Sequence, residues 1–107
     1  MKKINIEEEI NSIARQIIEK YHPEKIILFG SSARGETGPD SDIDFLVVKK
    51  DTPDLGRERS RELRRLIEKH WAVDFLVYKP EELQEREELG DPFIRAVLKQ
   101  GKIIYGS

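Results

Sequence analysis

Cysteine is absent from this chain, and with it go a disulfide scaffold, a thiolate metal site and a thiol nucleophile. Methionine and tryptophan occur once each. No apolar run is long enough to span a bilayer, so no membrane partner is expected. A dominant charge sign is also missing: 19 Lys and Arg stand against 21 Asp and Glu, a net charge of −2. That balance predicts no whole-surface affinity for nucleic acid. The start, Met1-Lys-Lys-Ile-Asn, leads into acidic residues rather than the apolar stretch of a signal peptide. A soluble, cytoplasmic protein is the expected class. Internal repeats and low-complexity linkers are lacking as well, so residues 1–107 are expected to form one small domain. What is present is mixed charge and aliphatic side chains, 37% charged and 37% hydrophobic, which suffices for one packed core.

The apolar positions Ile10, Ile13, Ala14, Ile17, Ile18 and Tyr21 recur in steps of three and four, which predicts one face of a helix. Asn5 can cap it, with Glu8 in capping-box spacing, and Pro23 follows its end. Lys25 to Phe29 reads as a buried strand ending at Gly30. A tight turn runs from Gly30 to Gly35, with a short helix opening near Ser32, and a loop over residues 36–41. Ile43 to Val48 is the second strand. Asp54 can cap a helix reaching about His70, with Leu55, Leu63, Leu66 and Ile67 inward, although apolar residues are sparse over 56–60. Val73 to Tyr78 is the third strand. Pro80 suits the first turn of another helix, and Gly90-Asp91-Pro92 breaks it and starts a last one. Gly101 ends that helix before a closing strand over Lys102 to Tyr105. Such alternation predicts an α/β (α+β) architecture, a sheet with helices packed on it; the strand directions are left open.

The turn after Phe29 carries chemistry. A glycine at a strand end permits close approach by a ligand, and Ser31 and Ser32 add hydroxyls. Free N–H groups in such a turn favour phosphate, and Arg34 adds a planar cation suited to phosphate oxygens. No Gly-Lys-Ser/Thr follows, so this is not a Walker A loop. By itself, the pattern also fits a plain tight turn. Asp42 and Asp44 sharpen it. Alternate strand residues share a face, so the two carboxylates project together while Ile43 and Phe45 go to the other side. Adjacent carboxylates repel, and a divalent cation relieves them; magnesium takes one or two carboxylates plus substrate phosphates. An EF-hand reading of Asp40, Asp42 and Asp44 fails, because Phe45 stands where glycine is needed and Asp51 where glutamate is usual. Asp74, at the start of the third strand, joins the pair if that strand lies beside the second. Three carboxylates could then hold two metal ions about 3.5–4 Å apart.

Gly30-Ser31, ten residues, then Asp42-x-Asp44 resembles the signature of the DNA polymerase β-like nucleotidyltransferase superfamily. The string from Gly30 through Ala33-Arg34-Gly35 and Ser41 to Val48 looks like its minimal nucleotidyltransferase (MNT) branch. The resemblance implies a small mixed sheet flanked by helices. It implies that Gly30 and Ser31 hold the triphosphate of ATP or another nucleotide, with Arg34 matching an arginine of the branch's motif. It implies that Asp42, Asp44 and Asp74 hold magnesium, two ions in such sites, and catalyse transfer. Proteins of this branch are often encoded beside a HEPN-domain RNase toxin, to which they act as antitoxin, some by transferring AMP to a tyrosine. No acceptor-binding domain is expected within these residues, so the acceptor is expected to bring its own surface.

Two other readings follow from the residues. The chain could neutralise a partner by binding alone, with the acid cluster structural. Alternatively, Arg57, Arg59, Arg61, Arg64 and Arg65 could contact nucleic acid directly. On a helix those five do not make one stripe, and Glu58, Glu62 and Glu68 interleave with them. A solvated face laced with ion pairs is the expectation.

Overall fold

In a computed structural model that describes residues 5–36 and 42–106, Asn5 opens the first helix as its spacing predicts. Helix α1 spans Ile6–Tyr21. The Glu8 N–H donates to Asn5 Oδ1 at 2.9 Å, and Asn5 Nδ2 donates to Glu8 Oε1 at 2.7 Å. His22 closes the helix in the left-handed region, φ 53°. The order continues β1 (Lys25–Phe29), β2 (Ile43–Val48), α2 (Gly56–Leu66), β3 (Val73–Tyr78), α3 (Pro80–Glu88), α4 (Pro92–Gln100) and β4 (Lys102–Tyr105).

The four strands make one sheet in the order β3-β2-β1-β4. β1 runs antiparallel to both β2 and β4, whereas β2 and β3 are parallel and joined across α2. The sheet is therefore mixed. Period-two alternation divides its side chains between two cores. On one face Ile26, Leu28, Ile43, Phe45, Val47 and Phe75 pack against Ile13 and Ile17 of α1 and Leu63 of α2. The Phe45 and Phe75 rings stack there with centroids 6.0 Å apart. On the other, Ile27, Leu46 and Val48 meet Ile94 and Val97 of α4. Burying each such side chain contributes about 1.5–3 kcal/mol.

Three expectations need correction. Asp54 is not the cap of α2. Leu55 holds that position without a side-chain capping bond and is exposed, while the Asp54 carboxylate takes Lys79 Nζ at 2.7 Å. The helix stops at Leu66, short of His70, because Ile67 turns to extended backbone and is itself buried. Its apolar-poor first turns are anchored by a buried arginine instead. The Arg59 guanidinium donates to Val77 O at 3.2 Å, to Asp54 O at 3.0 Å, to Pro53 O, and to both oxygens of Glu82 at 2.6 and 3.0 Å. The segment after Gly30 is a run of turns rather than a short helix. Ala33, Arg34 and Gly35 donate to carbonyls three residues back, and Glu36 donates to Ser31 O at 2.9 Å. Beyond Glu36, the loop read over 36–41 lies outside the described residues.

Glu9, on the inner side of α1, is fully buried. Its carboxylate accepts the backbone N–H of Trp71 at 2.9 Å and that of His70, and contacts His70 Nδ1 at 3.2 Å. It thereby ties down the connection that delivers β3. Glu9→Ala removes the acceptor of two part-buried backbone donors and is expected to cost about 1–3 kcal/mol in urea denaturation. Glu9→Gln, which keeps a carbonyl acceptor, should lose less.

Candidate active site

The site is built where β2 begins. Asp44 shares a face with Leu46 and Val48, on the α4 side of the sheet, as Ile43 and Phe45 turn to the α1 side. Parallel pairing sets Asp44 directly opposite Asp74, and antiparallel pairing sets it opposite Phe29. Gly30 follows Phe29 with φ +75°, and a Cβ built on it would overlap Asp44 Oδ2. The turn and the carboxylate are thus in contact only because position 30 has no side chain. Asp42, one residue before β2, is exposed.

Burial pushes the Asp44 carboxyl above its ordinary value, and the charges of Asp74 and then Asp42 push it further. Asp74 is exposed and paired with Arg64, Nη2 to Oδ1 at 3.2 Å. The three acids offer hard oxygens of the kind magnesium takes alongside water and phosphate. Among the described residues no group of three or more ligand side chains is gathered tightly enough to cage an ion alone. That donor set fits a metal that arrives sharing phosphate oxygens.

In the turn, the N–H groups of Ala33 to Glu36 are spent on the turn's own carbonyls, and those of Ser31 and Ser32 take no part in these bonds. Ser32 Oγ is buried with no hydrogen-bond partner among the described residues. Arg34 pairs with Glu36, Nε to Oε2 at 3.0 Å. Its side chain lines a 250 Å³ pocket with Gly30, Phe29, Phe93 and Gln100. Phe29 and Phe93 meet edge to face, centroids 5.7 Å apart, and are shared with a second, larger groove.

That groove, 620 Å³, contains Asp44 and Asp74. Phe29 and Phe93 form one side of it, and Arg57, Ser60, Arg61 and Arg64 of α2 form the other. Gly30, Asp44 and Asp74 are therefore gathered at one end of the sheet, with Asp42 one residue before β2 and Arg34 in the adjoining pocket. The reading of α2 as a solvated face holds for Arg57, Arg61, Arg64 and Arg65, which are exposed, and fails for Arg59, which is buried against Glu82. All five arginines do not share a stripe, but Arg57, Arg61 and Arg64 do, at i, i+4 and i+7. Arg59, between them, is the one driven inward. That subset of the spacing was the signal available in the sequence. Phe93, read only as apolar, is 45% exposed, which no periodicity could have shown.

Over residues 9–105 the chain matches the nucleotidyltransferase domain family. It is 33% identical over 105 residues to a proposed protein adenylyltransferase of Methanocaldococcus jannaschii, covering 95% of this chain and all of that one. A proposed nucleotidyltransferase from Sulfolobus solfataricus superposes with a TM-score of 0.62 at 28% identity, covering 99% of this chain and 92% of that one. A toxin–antitoxin structure with AMP-PNP superposes with a TM-score of 0.56 at 26% identity, over 96% of this chain and 75% of the other. A substituted form of the toxin–antitoxin MntA–HpeT gives a TM-score of 0.51 at 27% identity, over 98% and 75%.

Proposed function

This chain belongs to the nucleotidyltransferase domain family, and from that premise we propose that it moves AMP from ATP onto a hydroxyl of a partner protein, as antitoxin to a HEPN-domain RNase toxin. Its fold, a small mixed sheet flanked by helices, is that of nucleotidyltransferases. The transferase assignment agrees with the adenylyltransferase relative, and the antitoxin role is supported by the toxin–antitoxin neighbours. The observation that carries the reading is the Asp44–Asp74 pair, in register on parallel strands against the Gly30 turn.

In this reading the Gly30–Ser31 turn receives the phosphates, and Arg34 sits beside it. Asp42, Asp44 and Asp74 would hold magnesium, which when bound would supply positive charge to offset the phosphates. The partner's hydroxyl oxygen attacks the α-phosphorus. The bond from that phosphorus to the bridging oxygen breaks, pyrophosphate leaves with the electron pair, and Asp74 takes the hydroxyl proton. Positioning and charge neutralisation do most of the work. No helix among the described residues is long and apolar enough to cross a membrane, and we place the reaction in the cytoplasm with its partner.

The test combines the protein, α-labelled ATP, magnesium and the protein encoded beside it. Label is expected on the partner with wild type and not with Asp42→Ala/Asp44→Ala. Absence of label with wild type, or equal label with both, ends the catalytic reading. If the double variant still protects cells from the toxin, neutralisation proceeds by binding alone.

A further inference from the structure

We propose that the Arg57–Arg61–Arg64 stripe is the acceptor subsite, and that it selects a protein segment whose acceptor hydroxyl is flanked by acidic side chains. The proposal rests on the transferase reading above for its outcome, but the subsite has its own geometry.

The sheet order separates the two substrates' places. The Gly30–Ser31 turn lies on the β1 side of Asp44, and α2 lies on the β3 side, beside Asp74. Ser60 Oγ donates to Phe75 O at 2.8 Å and Arg59 to Val77 O, so α2 runs against β3 in the opposite direction. The stripe therefore starts at Asp74, where Arg64 is bonded, and leads away from the acids through Arg61 to Arg57. Seven residues of helix cover about 10 Å, the length of about three extended residues. A strand laid there would present its hydroxyl at Asp74 and its following side chains to the guanidinium groups.

Arg57 and Arg61 have no ion-pair partner among the described residues, and both line the groove. Unlike Arg59, whose charge Glu82 takes up, they are left to meet an anion from outside. Facing them, Phe29 and the half-exposed Phe93 give an apolar wall against which an aromatic or aliphatic side chain of the acceptor can rest. The net charge of −2 disfavours a nucleic-acid strand, whose affinity is built from many phosphate contacts. A short acidic peptide needs only the two or three guanidinium groups present.

Short fluorescent peptides with one central tyrosine, flanked by glutamate, glutamine or lysine, probe the groove, with a single-stranded oligonucleotide as the fourth probe. The glutamate peptide should bind about tenfold more tightly than the glutamine peptide at low salt, about threefold for each surface pair. The preference should fade at high salt and disappear in Arg57→Gln/Arg61→Gln. Arg61→Glu should invert it toward the lysine peptide, which a misfolded protein could not do. Equal binding of all peptides, tightest binding of the oligonucleotide, or loss of ATP affinity in the glutamine variant overturns the proposal. Label transfer from ATP is read separately. An acidic peptide that binds but is never labelled removes the transferase reading and keeps the groove. A neutral peptide labelled as readily as the acidic one does the reverse.

Discussion

Asparagine at position 44 is expected to lower AMP transfer by at least about a thousandfold while making the metal-free protein more stable. Both effects come from one charge. Burial and the neighbouring carboxylates of Asp74 and Asp42 raise the Asp44 pKa above its ordinary value of 3.8. A carboxyl with a raised folded-state pKa holds its proton more tightly folded than unfolded. Stability therefore falls as the pH rises from 3.8 through the folded value, and the penalty is complete above it. Asp44→Asn removes that penalty. Its thermal midpoint in chelator should exceed that of wild type at neutral pH, and the gap should close as the pH drops below 3.8. Magnesium with a non-hydrolysable ATP analogue should reverse the order, because it stabilises wild type by mass action and the variant little. Thermal melts across pH, with and without the ligand pair, check all three outcomes. A variant that is less stable than wild type under every condition would show Asp44 to be structural.

Gly30→Ala should also lower transfer, by about a hundredfold, and be costly to the fold, about 1–3 kcal/mol. Two causes act together there. Position 30 sits at φ +75°, where a side chain strains the backbone, and the new Cβ would occupy the space of Asp44 Oδ2. Gly35 separates the two. Its φ is +74°, but nothing lies within 4 Å of a Cβ added to it. Gly35→Ala should thus lose comparable stability in denaturant titration and keep most of its activity. If both variants lose activity equally, strain in the turn matters and displacement of Asp44 does not.

The expectations that survived were those decided by near neighbours along the chain. Three- and four-residue steps placed α1, and Asn5 with Glu8 closed its start, because the groups involved lie within one turn of each other. Asp44 falls on the face of β2 opposite Ile43 and Phe45 for the same reason, since the strand period is two, and Asp42 stands one residue before the strand. Gly30 at the end of β1 was read as a glycine that permits an unusual backbone, and its positive φ agrees with that.

The failures have a common physical origin. Asp54 suits a helix cap by type, yet the cap position falls on Leu55, and the Asp54 carboxylate pairs with Lys79 just before α3. The first turns of α2 lacked an apolar anchor in sequence, and a buried arginine paired with Glu82 supplied one. Glu9 and the segment it holds at His70 and Trp71 are far apart in the chain, so nothing local marked that carboxylate as buried.

The sequence by itself determined where the four strands and α1, α3 and α4 begin, and that a glycine closes β1 ahead of a tight turn. Only the tertiary structure decided that β3 lies parallel to β2, which sets Asp74 opposite Asp44. The same step lays α2 along β3 with Arg57, Arg61 and Arg64 turned into the groove. Local periodicity says which side chains share a face of their own element. Which element that face then meets depends on how the whole chain buries its apolar surface against the sheet.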